Sequence, residues 1–382
     1  MALPPPSADA LAHSERVLSF IRAEIAQRGG WISFARFMEL ALYAPGLGYY
    51  MAGTRKLGAE GDFVTAPEIS PLFGQTLARQ VAQVLDQELE DVLEIGAGSG
   101  ALAASLLSEL EHLGATPKNY FVLELSPDLR ERSRDTIAAR VPHLMERVAW
   151  LNQLPPSFSG LVLGNEVLDA MPVHVVRSSA QGIEEAGVEL TGSGSLGWAH
   201  RPARGELLEA ALALELPQGY TSEIGLVTRA FIASIAEVIE RGAALFIDYG
   251  FPRHEYYHPQ RSEGTLMCHY RHHAHADPFY LPGLQDITAH VDFSAVAHIG
   301  AQCGLEVLGY TTQAQFLINC GITEVLGRVP AEDAARYLPL SNQANRLLAP
   351  SEMGELFKVI AFGKNFDPAL VGFSSGDKRH TL

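Results

Sequence analysis

The residues that could do chemistry gather first between positions 93 and 124. The run LEIGAGSGALA, residues 93–103, sets glycines at 96, 98 and 100 directly behind a short apolar stretch. Glycines in that place let the backbone bend with φ above zero and let a ligand approach main-chain N–H groups. Two readings compete. Gly96, Gly98 and Ala101 satisfy the dinucleotide fingerprint G-x-G-x-x-G/A, whereas Gly96, Gly98 and Gly100 make the G-x-G-x-G of S-adenosylmethionine (SAM) sites. Glu94, two residues before the turn, favours SAM. A carboxylate there repels an anionic pyrophosphate, but suits the ammonium and sulfonium of SAM. Glu124 ends the second apolar run and offers acceptors to ribose hydroxyls, which supports a nucleoside ligand of either kind.

These residues need a scaffold of strands and helices. Short apolar runs at 92–95, 120–125, 147–151, 161–163, 243–247, 305–310 and 356–362 read as strands, with amphipathic helices between several of them. Strand–helix alternation implies a parallel sheet covered on both faces. Ser126-Pro127 and Ser70-Pro71 each place an N-cap before a proline at the first helical position. Ser14 and Ser33 are expected to cap two N-terminal helices, after a loose Pro- and Ala-rich start. The glycine- and aromatic-rich stretch 43–70 reads as a long ordered loop, a kind that is usually functional. VELTGSGSLGWAH reads as a hairpin with a Gly/Ser turn. Residues 251–290 lack period. The expected divisions are an N-terminal helical and loop region over 1–85, a core over 86–366 with insertions near 181–222, 251–290 and 314–352, and a flexible tail over 367–382.

The chain has 382 residues, 47% hydrophobic and 19% charged, with a formal net charge of −16. The composition suits a globular protein with a sizeable core. The negative charge argues against nonspecific binding to nucleic acid and suits a basic target. Cys268, Cys303 and Cys320 form no C-x-x-C pair, so no disulfide scaffold or zinc ribbon is expected. The N-terminal residues lack the features of a signal or transit peptide, and no apolar run spans a membrane. A reducing, cytoplasmic location is the expectation, or the mitochondrial matrix in a eukaryotic cell.

Several segments occur together in order: GDFVTAPEIS (61–70), LEIGAGSG (93–100), ELSPDLR (124–130), GNEVLDAMPVH (164–174), FIDYG (246–250), DPFYLPGLQDITAHVDF (277–293) and MGELFKVIAF (353–362). They resemble the MidA-like (DUF185) family of SAM-dependent methyltransferases across about residues 14–365. Its mitochondrial member is an arginine methyltransferase that assists assembly of respiratory complex I. The resemblance implies an α/β fold with a seven-stranded Rossmann-like sheet, mostly parallel with the last strand antiparallel. It adds an N-terminal helical region and inserted helical and hairpin elements. It also implies that Thr65, Pro67 and Glu68 lie near the cofactor.

Methylating an arginine requires a grip on a protonated guanidinium. A carboxylate pair bonds its N–H groups, draws charge toward itself and leaves one nitrogen more nucleophilic. Glu166, just after the fourth strand, is the first candidate, since strand ends face the ligand crevice in such sheets. It resembles the first glutamate of the paired-glutamate loop of arginine methyltransferases. Asp169 is either the second acid or a local cap. Asn165 is a partner for the amino-acid end of SAM or for backbone. The N/D-P-P-Y/F loop of enzymes that methylate amide-like nitrogens is absent. HYRHHAHADP, 269–278, looks metal-like, yet no acid–His spacing or second cluster completes a shell, and no metal is expected. His174, His290 or a histidine of that run can accept a proton, and Asp248 can position substrate or a loop. The expected partner is a protein presenting an arginine, by analogy a respiratory NADH dehydrogenase subunit. A non-catalytic SAM-binding assembly protein, an NAD-dependent oxidoreductase and a small-molecule methyltransferase are the alternatives. Oligomeric state is left open.

Overall fold

The computed structural model describes residues 3–53 and 64–382. The apolar runs become seven strands: β1 (Asp91–Ile95), β2 (Asn119–Leu123), β3 (Val148–Leu151), β4 (Phe158–Asn165), β5 (Ile239–Phe251), β6 (Glu306–Thr312) and β7 (Phe357–Lys364). Across the sheet they lie in the order β3-β2-β1-β4-β5-β7-β6. The first five pair in parallel. The last, β7, runs antiparallel to both β5 and β6. Parallel strands covered on both faces read as unbroken apolar runs. Val92–Leu93, Leu161–Leu163 and Ala243–Ile247 are accordingly buried, and Val359–Phe362 on the antiparallel β7 is buried with them. Strand order reverses between β1 and β4, and a crevice for ligand opens at the carboxyl ends of strands on such a reversal.

Residue contacts divide the chain into two compact units. The second unit, Val64–Val167, Phe231–Pro252 and Phe293–Leu382, holds the seven strands. Its helices start where the caps predict. Ser70 accepts the Leu72 N–H at the head of Pro71–Leu85, and Ser126 the Leu129 N–H at the head of Pro127–Arg140. The first of these helices buries Phe73, Leu77, Val81 and Val84 at helical spacing. Residues 367–382, expected as a flexible tail, are bonded into this unit. Gln80 and Gln83 accept the N–H groups of Gly372 and Val371, and Phe373 packs edge-on to Phe316 at 5.4 Å. Composition at a chain end does not reveal such partners, which lie almost 300 residues away.

The first unit gathers Met1–Phe63, Leu168–Ala230 and Arg253–Asp292. Its first helix, Ala8–Gln27, starts six residues before the expected Ser14, because Ser7 behind three prolines accepts the Ala10 N–H. Ser14 lies inside the helix and donates to the Pro282 carbonyl. Ser33 caps Phe34–Tyr43 as expected. The predicted hairpin pairs Gly182–Leu190 with Leu196–Pro202 in an antiparallel sheet that also holds His174–Ser179, Thr221–Ile224 and Ile32–Ser33. The stretch without period contains a small sheet of Met267–Tyr270, His273–His275 and Asp286–Thr288. Strands of three or four residues are too short to show alternation.

Candidate active site

The glycine turn follows β1. Gly96, Gly98 and Gly100 all take positive φ, at 68°, 54° and 81°. Gly96 donates to the Leu123 carbonyl at the end of β2. Gly100 caps the helix Ala101–His112 without a side chain, and a Cβ there would stand 2.7 Å from the Ser133 Cα. Its glycine therefore answers a packing demand as well as a backbone one. The cap is supplied one residue earlier: the Ser99 hydroxyl accepts the Ala101 N–H at 3.4 Å.

Glu124 is nearly buried at the end of β2. Its Oε2 accepts the Gly98 N–H at 3.1 Å and its Oε1 the Ser126 N–H at 2.9 Å. The acid thus holds the glycine turn and the next helix start in one place. Carboxylate oxygens carry further lone pairs, so ribose hydroxyls can still be accepted. Beside it Leu125 is 64% exposed, an apolar platform that the sequence reading passed over. Its exposure follows from the fold, since the strand ends at Leu123 and leaves Leu125 beyond the sheet.

Glu94 corrects an expectation. Its side chain is 2% exposed, and its Oε2 accepts the Tyr120 hydroxyl from the neighbouring strand at 2.7 Å. Burial pushes its carboxyl up to about 7, the Tyr120 bond opposes the rise, and the charge of Glu124 adds to it. The residue is a buried, titrating acid under the turn, not an open and permanently charged pole. A cation placed near it would return the carboxyl to its ionised form, so a positive ligand remains the better match.

The second half of GDFVTAPEIS arrives at the same place. Thr65 precedes the one-turn helix Ala66–Ile69, with Pro67 in its first turn. Glu68 accepts the Ser99 hydroxyl of the glycine turn. The Ala66 N–H donates to Glu166 Oε1 at 3.3 Å. Thr65, Pro67 and Glu68 therefore sit on a short helix tied at once to the glycine turn and to the end of β4. Asp62 of this segment lies outside the described residues.

At the end of β4, Glu166 holds a left-handed backbone with φ 53°. Its N–H donates to the Ile247 carbonyl on β5, and its Oε1 also accepts the Asn165 Nδ2 at 3.1 Å. A left-handed non-glycine residue costs on the order of 1–3 kcal/mol and persists where its surroundings hold it, often at functional sites. Asn165 Oδ1 is buried with no hydrogen-bond partner among the described residues. An acceptor left in that state suits a donor such as an ammonium. Asp248, fully buried among the last paired residues of β5, accepts the Val167 and Tyr249 N–H groups. It positions the loop. Asp169 belongs to the first unit, where its carbonyl accepts the Ala289 N–H and the neighbouring Ala170 carbonyl accepts the Tyr43 hydroxyl.

The histidines spread out. His174 Nδ1 lies 2.7 Å from Glu185 Oε1 on the paired strand. The His290 N–H donates to Thr265 Oγ1. Within the small sheet, His275 Nδ1 accepts the Asp277 N–H and His273 Nδ1 meets the Arg271 carbonyl. Among the described residues no group of three His, Cys, Asp or Glu side chains is arranged to hold a metal ion. None of their helices is long and apolar enough to cross a membrane.

Comparison with known proteins bears on the ligand. Residues 76–311 match the model of Methyltransf_28, a family described as S-adenosyl-L-methionine-dependent methyltransferases. A COG1565 superfamily member from Burkholderia thailandensis, solved with S-adenosyl-homocysteine bound, is 52% identical, with a TM-score of 0.97 and full coverage of both chains. The mitochondrial protein arginine methyltransferase NDUFAF7 homolog of Drosophila melanogaster is 30% identical over 89% of this chain and 83% of its own. Protein arginine methyltransferase NDUFAF7 of Danio rerio is 29% identical over 90% of this chain and 86% of its own. The dinucleotide reading of the glycine turn falls away, and the cofactor is S-adenosylmethionine. With residues 76–311 matching the family model and relatives similar over most of its length, the chain belongs to the MidA-like family of S-adenosylmethionine-dependent methyltransferases.

Proposed function

We propose that the protein transfers methyl groups to arginine side chains of a protein substrate, with Glu166 gripping the guanidinium. The observation that carries this reading is the Glu166 carboxylate, held in a left-handed turn at the end of β4 by bonds from Ala66 and Asn165. S-adenosylmethionine, when bound, supplies an electrophilic methyl on a sulfonium. The protein's own work is to place and polarise the acceptor. Glu124 and Gly98 fit the ribose, and the Asn165 Oδ1 acceptor fits the ammonium end. A fixed carboxylate bonded to one edge of a guanidinium draws the positive charge to that edge and leaves the opposite nitrogen richer in electrons.

The names of the relatives support a protein arginine as substrate. By analogy with the family the chain resembles, the proposed target is a respiratory NADH dehydrogenase subunit. A test uses protein extract from cells lacking this chain, with purified protein and S-adenosylmethionine labelled in the methyl group. Label recovered as methylarginine is expected, and label only on other residues or on small molecules overturns the reading. The non-catalytic alternative separates at Glu166. Glu166→Gln should lower transfer by about 100- to 1,000-fold under arginine methylation, whereas an assembly protein would keep its partner and its cellular effect.

A further inference from the structure

The one-turn helix Ala66–Ile69 links two parts of the site that the chain keeps far apart. At one end Glu68 accepts the hydroxyl of Ser99, which lies between two left-handed glycines. At the other end Ala66 donates to Glu166 Oε1. The helix is stiff between them, because the Thr65 carbonyl accepts the N–H groups of both Glu68 and Ile69 at 3.0 Å. Ser99 is anchored in turn by accepting the Ala101 N–H at the head of a twelve-residue helix.

The two bonds differ in tolerance. The Ala66 bond to Glu166 is long at 3.3 Å, and a shift of a few tenths of an ångström breaks it. Glu166 needs such support, since its left-handed backbone is intrinsically unfavourable. We propose that Glu68 is a positioning residue: by docking the Ala66–Ile69 helix on the Ser99 hydroxyl, it sets the Ala66 N–H that orients the Glu166 carboxylate. The acid that meets the substrate is then aligned through the same turn that holds the cofactor. This inference rests on the arginine reading above. It assigns Glu68 a task carried by a hydrogen bond rather than by its charge.

Glu68→Ala and Ser99→Ala remove the dock, whereas Glu68→Gln keeps an acceptor for Ser99 without the charge. S-adenosyl-homocysteine is titrated into each protein by calorimetry. Methyl transfer to arginine in the deficient extract is measured at saturating S-adenosylmethionine. Glu68→Ala and Ser99→Ala should lose about 10- to 100-fold in transfer rate, the range expected for a misplaced group. Any rise in their dissociation constants for S-adenosyl-homocysteine should be smaller than the fall in transfer rate, which saturation separates from binding. Glu68→Gln should restore most of the rate. Adding Glu68→Ala to Glu166→Gln should cost nothing further, since both act through one group.

Additive losses overturn the inference. So does a Glu68→Gln variant as slow as Glu68→Ala, or a loss explained wholly by weaker cofactor binding. Amide exchange gives a readout that needs no substrate. In Glu68→Ala the Glu166 and Val167 amides, bonded to Ile247 and Asp248, should exchange faster. If the parent protein labels no arginine, the arginine reading fails, and this exchange comparison still decides the dock. Unchanged exchange at both amides overturns it.

Discussion

The two units each bury a glutamate, and they treat it differently. In the sheet unit, Glu94 accepts from the Tyr120 hydroxyl and is pushed up to about 7 by burial. In the first unit, Glu223 is equally buried, and burial again raises its carboxyl. Yet Glu223 accepts from the Thr265 N–H and hydroxyl, the Leu266 N–H and the Tyr256 hydroxyl, all at 3.0–3.2 Å. Those donors oppose the rise and tie the 256–266 loop to the strand Thr221–Ile224. Donor number separates the roles. A buried acid surrounded by donors is a brace, whereas one with a single hydroxyl can change its charge when a cation arrives.

Experiment separates these roles. The largest effect on activity should come from the substrate acid. Glu166→Gln should lower methyl transfer by about 100- to 1,000-fold, as losing one preorganised charge contact does elsewhere, with S-adenosyl-homocysteine binding little changed. Labelled-methyl counting beside calorimetry reads both quantities. Next comes the brace. Glu223→Ala leaves several buried donors without a partner and should cost about 3–5 kcal/mol in denaturant unfolding. A cost below about 1 kcal/mol would mean the donors find water instead.

Glu94 predicts a pH dependence of opposite sense to a paired carboxylate. Its folded pKa of about 7 lies above the ordinary 4.5. The folded state therefore binds more protons across that window, and stability falls as pH rises from about 4.5 to 7, by up to about 3 kcal/mol. Glu94→Gln keeps an acceptor for Tyr120 and should flatten the curve, as denaturant melts at pH 5 and pH 8 will show. Gly100→Ala should destabilise by about 1–3 kcal/mol through its left-handed backbone alone, and by more if Ser133 cannot yield. The smallest effect is on the cofactor. Binding a cation beside Glu94 should release a proton, so affinity for S-adenosylmethionine should rise by up to about tenfold between pH 6 and pH 8. Calorimetry in buffers of different ionisation heat measures that proton directly. An affinity independent of pH would place the positive groups away from Glu94.

Much of the sheet unit was legible because its signals are local. A glycine at positive φ, a serine before a proline, or an acid closing an apolar run each acts within a few residues. Gly96, Gly98, Gly100, Glu124 and the two Ser-Pro helix starts could all be read that way. The three-stranded sheet hidden in 251–290 could not, because its strands are too short to alternate and their partners are set by pairing. Leu125 was passed over because exposure is a property of the fold.

The amino-acid order determined which atoms were available at the strand ends and how the backbone could bend there, since torsional freedom and capping depend on near neighbours. Their environment came from the folded arrangement. Tyr120 reaches Glu94 across the sheet, Ser99 meets Glu68, and Ala66 meets Glu166 a hundred residues away. Burial, charge state and hydrogen-bond partners are set by distance in space, and for these residues that distance is unrelated to separation along the chain.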